Sequence, residues 1–219
     1  MNKKSLIYST SILTAVNVVV RLMGFAFRIW LSRQLGAEGM GLYQLVFPVF
    51  SVMITIVSSG LPVAVSKMVA SKPSISSRIT TIASRFILAI SVPMILLCFI
   101  FASPISTYVI GDSRALMAFI IMLPSLLFVG LESCYKGYFY GVKNVHPPAL
   151  SELFEQIVRI LFVVIVFNLI PSPSSPVGAA IAMMGVMLGD LAGLISVRLF
   201  YRKRSCSTAY DETMLVKQL

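Results

Sequence analysis

The sequence predicts an all-α membrane protein of about six transmembrane helices, on three observations. Composition is the first: 58% of the 219 residues are hydrophobic and only 12% charged, with a mean hydropathy of +0.92. Soluble domains carry about 25% charged residues, so the apolar side chains here must face lipid as well as each other. Next, apolar runs of about 20 residues, the length a helix needs to cross a bilayer core, recur along the chain between short polar connections. The third is that basic residues alternate from one set of connections to the other.

The first span is expected near 7–31, closed by Arg33-Gln-Leu-Gly-Ala-Glu-Gly39. It is too long for the core of a secretory signal, and no small-residue cleavage site follows it. The second runs near 42–68, with Pro48 and a Gly60-Leu-Pro62 break inside it. A polar stretch from Ser71 to Ser77 leads to the third, near 79–102, where Pro93 is expected to kink the helix. Residues 103–114 connect to a fourth span near 115–136; a fifth lies near 149–170 and a sixth near 177–200. Residues 1–204 thus form one transmembrane unit, and 205–219 read as a polar cytoplasmic tail, disordered or loosely helical.

One set of flanks holds Lys3 and Lys4, then Lys67, Lys72, Arg78 and Arg85, then Lys136 and Lys143, then Arg202, Lys203 and Arg204. The other holds Arg33 with Glu38, Arg114 with Asp112, and an uncharged Pro/Ser segment at 171–176. Lys and Arg mark the cytoplasmic side, so both termini are expected there. The same distribution argues against reading the net charge of +10 as a nucleic-acid surface, which needs a basic face on a soluble domain. Cys98 and Cys134 fall in or beside apolar runs, Cys206 lies in the tail, and His146 is the single histidine. That set offers neither a disulfide framework nor a metal site.

Charge inside a span is costly and marks function by default. Arg21 and Arg28 are seven apart in span one and share a helix face. Arg21 lies about 14 residues, or about 21 Å, into its span, too deep to reach the near surface. Arginine's planar fork suits phosphate, so the pair points to a polar cavity for an anionic headgroup; ion pairing with Glu155 or Asp190 is the alternative. Glu155 and Arg159, four apart with the acid first, either neutralise each other or line the cavity. Asp190 lies within Gly185-xxx-Gly189-xxx-Gly193, whose glycines read as helix packing; the aspartate is a candidate for a cation or an ion pair. Glu132 and Glu152 read as interfacial or water-facing.

Prolines 48, 62, 93 and 124 fall inside three consecutive spans, a pattern that favours a moving protein such as a transporter. No Asp-x-Asp, Gly-x-Ser-x-Gly, Walker or HExxH signature occurs, which argues against an enzyme or an ATP-driven pump and against any cofactor.

Three stretches carry a family resemblance. They are Arg21-Leu-Met-Gly-Phe-Ala-Phe-Arg28 with Leu35-Gly-Ala-Glu-Gly-Met-Gly-Leu-Tyr-Gln44; Ser59-Gly-Leu-Pro-Val-Ala-Val-Ser-Lys67; and Gly137-Tyr-Phe-Tyr-Gly-Val-Lys-Asn144 with Pro147-Pro-Ala-Leu-Ser-Glu-Leu-Phe-Glu-Gln-Ile-Val-Arg159. Together they resemble the stage V sporulation protein B-like polysaccharide exporters of the multidrug/oligosaccharidyl-lipid/polysaccharide (MOP) flippase superfamily, over residues 5–200. The resemblance implies one lobe, the N-terminal one, of a MATE/MOP-like two-lobe transporter that alternates access to a central cavity. It implies an undecaprenyl-pyrophosphate-linked saccharide as substrate, and a second lobe or second chain as partner. Arg21 matches a cavity arginine of the lipid II flippases. Phe27 stands where those carry a second, with Arg28 one place later, and Leu42 replaces their acidic residue; these departures point to the sporulation-type branch. A truncated, non-transporting remnant or scaffold, and a drug/cation antiporter using Glu155 and Asp190, are the alternatives.

Overall fold

The computed structural model describes residues 3–170 and 173–216, with side chains described at 13–170 and 173–203. Arg204 and Cys206 have no described side chain, nor do Lys3 and Lys4, and 171–172 and 217–219 lie outside the described residues. All regular structure among the described residues is helical. The elements are α1 (Lys3–Ser58), α2 (Leu61–Ser71), α3 (Ser76–Ile100), a single turn α4 (Ala102–Pro104), α5 (Leu116–Met122), α6 (Ser125–Gly141), α7 (His146–Leu169) and α8 (Ser175–Val216). A π-helical turn, Ile105–Ile110, and a 3-10 turn, Ser113–Ala115, join α4 to α5.

Among the described residues, four helical segments are long and apolar enough to cross a membrane: Leu13–Ser71, Pro73–Ile100, Ser113–Gly141 and Ser175–Lys203. The first has 59 residues and as a straight rod would reach about 90 Å, three times a bilayer core. It is interrupted twice. Gly36 (φ 67°, ψ −176°) breaks α1 into two arms that line the same cavity, and Gly60 (φ 75°) ends the second arm and starts α2, with Pro62 in its first turn. Only glycine takes such positive φ angles without strain. α7 is 24 residues long but carries Glu152, Glu155 and Arg159, so its lipid compatibility rests on pairing those charges.

The prolines act differently from one another. Pro124 separates α5 from α6, whereas α1 and α3 run on through Pro48 and Pro93. α8 continues through the segment from Ser205 to Val216.

Close packing of α8 comes from its small residues. A Cβ at Gly185 would lie 2.2 Å from Val163 Cγ2, and one at Gly189 would lie 2.9 Å from the Glu155 carbonyl, so α7 presses directly on α8. Gly137 and Gly141 of α6 do the same against Pro62, Ser66 and Val69 of α2. The main core gathers Leu31, Val46, Phe119, Met122, Leu126, Val163 and Met183, and a smaller cluster forms around Val69, Phe139 and Val197. Phe25, Val52, Ile56, Phe86, Leu97, Ile100, Leu161 and Leu169 remain exposed. Apolar exposure of that extent suits a lipid environment.

Candidate functional site

The bend at Gly36 turns α1 back on itself and opens a cavity of about 480 Å³ between its two arms and α7. From the first arm come Gly24, Phe27, Arg28 and Leu31; from the second, Tyr43, Gln44, Phe47, Pro48 and Ser51; from α7, Gln156 and Arg159. Aromatic side chains build much of its wall, with Tyr43 and Phe47 edge to face at 5.0 Å. Pro48 has no N–H, so the carbonyl of Gln44 in the same wall loses its helical donor. Phe27 separates this cavity from a groove of about 300 Å³ lined by Met23, Ala26, Trp30, Ile160 and Val164, all apolar. On its other flank, Arg28 and Gln44 also line a pocket of about 350 Å³ that contains Arg33.

The two cavity arginines differ in what they hold. Arg159 Nη2 lies 2.6 Å from Glu155 Oε1 on its own helix and 3.1 Å from Asp190 Oδ1 on α8. Its guanidinium is thus already engaged by two carboxylates, one of them, Asp190, only 4% exposed. Glycine at 189 lets this happen, since a side chain there would meet the Arg159 stem at 3.1 Å. Arg28 has no ion pair or hydrogen bond among the described residues, and it is exposed to the cavity.

Of the residues singled out in the sequence, Arg28 and Arg159 therefore meet at one cavity. Glu155 and Asp190 stand behind it as partners of Arg159. Arg21 does not line the cavity; it is exposed on α1, on the face shared by Gly24 and Arg28 and about one turn nearer the N-terminus. Two readings need correction. Glu132 is not interfacial but 3% exposed, with Oε1 3.1 Å from Lys136 Nζ, an ion pair without the alignment of a hydrogen bond. Glu152 does not simply face water, because its Oε1 lies 3.3 Å from the same Lys136 Nζ. Both are legible in hindsight: Glu132 and Lys136 are four apart on one helix, the spacing of an ion pair. Gln156 and the Tyr43-Gln44 pair were overlooked, although polar residues inside apolar runs signal them.

A second polar cluster ties the other end together. Arg114 contacts Glu38, pairs with Asp112 at 2.9 Å, and Glu38 Oε2 accepts a hydrogen bond from Ser175 Oγ at 2.9 Å. The hydrogen bond from Arg114 holds the Asp112 carboxyl below the usual carboxylate range.

An apolar helical bundle that encloses an arginine-bearing cavity between its helices has the make-up of an integral membrane protein. The chain belongs to the polysaccharide biosynthesis protein family, whose profile matches residues 6–216. It is 32% identical to stage V sporulation protein B of Bacillus subtilis (strain 168) over 201 residues, 89% of this chain and 39% of that protein. It is 27% identical to the lipid II flippase MurJ of the same organism over 222 residues, covering 92% and 40%, and 28% identical to its sporulation protein YkvU over 155 residues, covering 66% and 32%. The chain thus spans about two fifths, or less, of the length of these relatives. No solved structure matches it.

Proposed function

We propose that this chain forms the headgroup-binding wall of a flippase for lipid-linked saccharides, with Arg28 as its contact to the anionic phosphate. The observation that carries this reading is an unpaired arginine in a polar cavity, one aromatic side chain away from an apolar groove. An amphiphile with a phosphate next to a long hydrocarbon fits those two spaces together. Arg33 in the adjoining pocket offers a second cation for a pyrophosphate, and Arg21 extends the basic stripe along α1. The name of the lipid II flippase among the relatives supports a lipid-linked saccharide as the class of substrate.

In this reading the arms of α1 about Gly36, α2 with the second arm, α3, α5 with α6, α7 and α8 make up six membrane crossings, and both termini are cytoplasmic. A second lobe or chain supplies the facing wall. Cation antiport is less well supported, because Asp190 and Glu155 both already contact Arg159.

The test is binding of undecaprenyl pyrophosphate to the purified chain in lipid nanodiscs. Arg28→Ala should weaken it about tenfold or more, since a charge-assisted hydrogen bond contributes about 1.5–3 kcal/mol. Unchanged affinity in that variant would remove the anion-site reading.

A further inference from the structure

We propose that Gln156 is a selectivity residue of this cavity: its amide hydrogen-bonds the sugar next to the phosphate, so that Arg28 and Gln156 divide the headgroup between charge and hydrogen-bond pattern. The inference rests on the proposed anion site and assigns its neighbour. Gln156 is 6% exposed, on the α7 face one turn before Arg159, and its amide lies across the cavity wall against Gly24. It makes no hydrogen bond with any described residue. Its amide atoms keep access to the cavity, where a bound ligand can supply the partner they lack. An amide both donates and accepts, which matches a sugar hydroxyl or acetamido group and is wasted on a phosphate that only accepts.

Nearby side chains support this division of labour. Arg159, one turn along α7, is matched by two carboxylates, Glu155 and Asp190, so it adds no excess positive charge beside Gln156. Gln44, across the cavity, presents a second amide. The α7 wall of the cavity therefore offers an amide beside a guanidinium already paired with acids, while Arg28 keeps an unmatched positive charge.

Gly24 is the structural condition for this placement. A Cβ there would sit 3.3 Å from Gln156 Nε2, closer than the amide tolerates without moving.

The experiment uses two probes in nanodiscs, undecaprenyl pyrophosphate and the same lipid carrying N-acetylglucosamine. The unaltered chain should bind the sugar-bearing probe more tightly. Gln156→Leu, close to isosteric, should cut affinity for that probe about five- to tenfold and leave the bare pyrophosphate lipid unchanged. Gly24→Ala should shift the same preference in the same direction by a smaller factor, with an unfolding midpoint close to that of the parent. Equal binding of both probes by the unaltered chain, or a Gln156→Leu loss shared equally by both probes, overturns the assignment. Arg28→Ala separates the two readings: it should weaken both probes. If it weakens neither while Gln156→Leu still acts selectively, the anion site fails and the amide's role stands. If Gln156→Leu does nothing while Arg28→Ala weakens both, the reverse holds.

Discussion

Arg159 is the residue on which most local charge depends. Its guanidinium holds Glu155 at 2.6 Å and Asp190 at 3.1 Å, and both carboxylates lie in the bundle rather than in lipid. Removing one member of a buried ion pair strands the other, at about 3–5 kcal/mol. Arg159→Met should therefore lower stability by about 3 kcal/mol, measured as denaturant or thermal unfolding in detergent. Adding Asp190→Asn should recover a good part of the loss, because the stranded charge is then gone. Equal loss in the single and double variants would show that Arg159 acts through packing alone. The acid–base spacing of Glu155 and Arg159 was legible in the sequence, since four residues place both on one helix face. That Asp190 joins them was not, because its contact crosses from α8 to α7 and depends on Gly189 letting the helices meet. Arg28 was legible as an intramembrane charge, but its freedom from partners is a property of the folded cavity. Gln156 was overlooked because an uncharged amide between Glu155 and Arg159 stands out less than its neighbours.

Among the elements, α7 and α8 form the most closely packed pair. The contact at Gly185 is with a side chain, Val163 Cγ2, whereas at Gly189 it is with the Glu155 carbonyl. Added methyl groups at such places cost about 1–3 kcal/mol through overpacking. Gly185→Ala should thus destabilise the protein, and Val163→Ala should rescue it by opening the space. Gly189→Ala should resist rescue by any side-chain truncation, because its obstacle is backbone; a rescue there by Val163→Ala would sink the account. At the loop end, pairing with Arg114 depresses the Asp112 carboxyl. A depressed carboxylate contributes stability that is present above its unfolded value of about 3.9 and is lost as pH falls through the folded value. The stability gap between the parent and Arg114→Gln should therefore be present at pH 7 and shrink as pH falls through the acid range in which Asp112 is protonated, read as unfolding midpoints across pH. The helices themselves were legible because long apolar runs permit little else in a bilayer. Their breaks were only half legible. Gly60-Leu-Pro62 announces a stop, and Gly36 falls in the polar connection expected after the first span, although that connection does not announce which residue takes φ 67°. α3 continues through Pro93, as a membrane helix does when neighbours satisfy the freed carbonyl.

On the scale of the whole molecule, the charge pattern and the contacts agree on which connections share a side. The alternating Lys and Arg count assigns 33–39, 103–114 and 171–176 to one face of the membrane. In the fold, Glu38, Asp112, Arg114 and Ser175 from those same three connections form one network. Residues so far apart in sequence meet only if the intervening helices return to the same end, so crossings between successive members come in even numbers. The network fixes parity without saying which end faces the cytoplasm. The basic excess supplies an expectation, since Lys67, Lys72, Arg78 and Arg85 flank the opposite end of α3 and basic residues favour the cytoplasmic side. α3 has 25 residues, about 38 Å of helix, enough to cross a core of about 30 Å once. With Cys98, Cys134 and Cys206 replaced by alanine, one new cysteine on each side of α3 decides the matter. Ser113→Cys should react with a membrane-impermeant maleimide in intact cells, and Ser74→Cys only after the membrane is opened. The opposite pattern would invert the orientation and place Arg33 and Arg114 inside, against the basic excess. Labelling of both from outside would mean that α3 does not cross, and the six-crossing reading would fall with it.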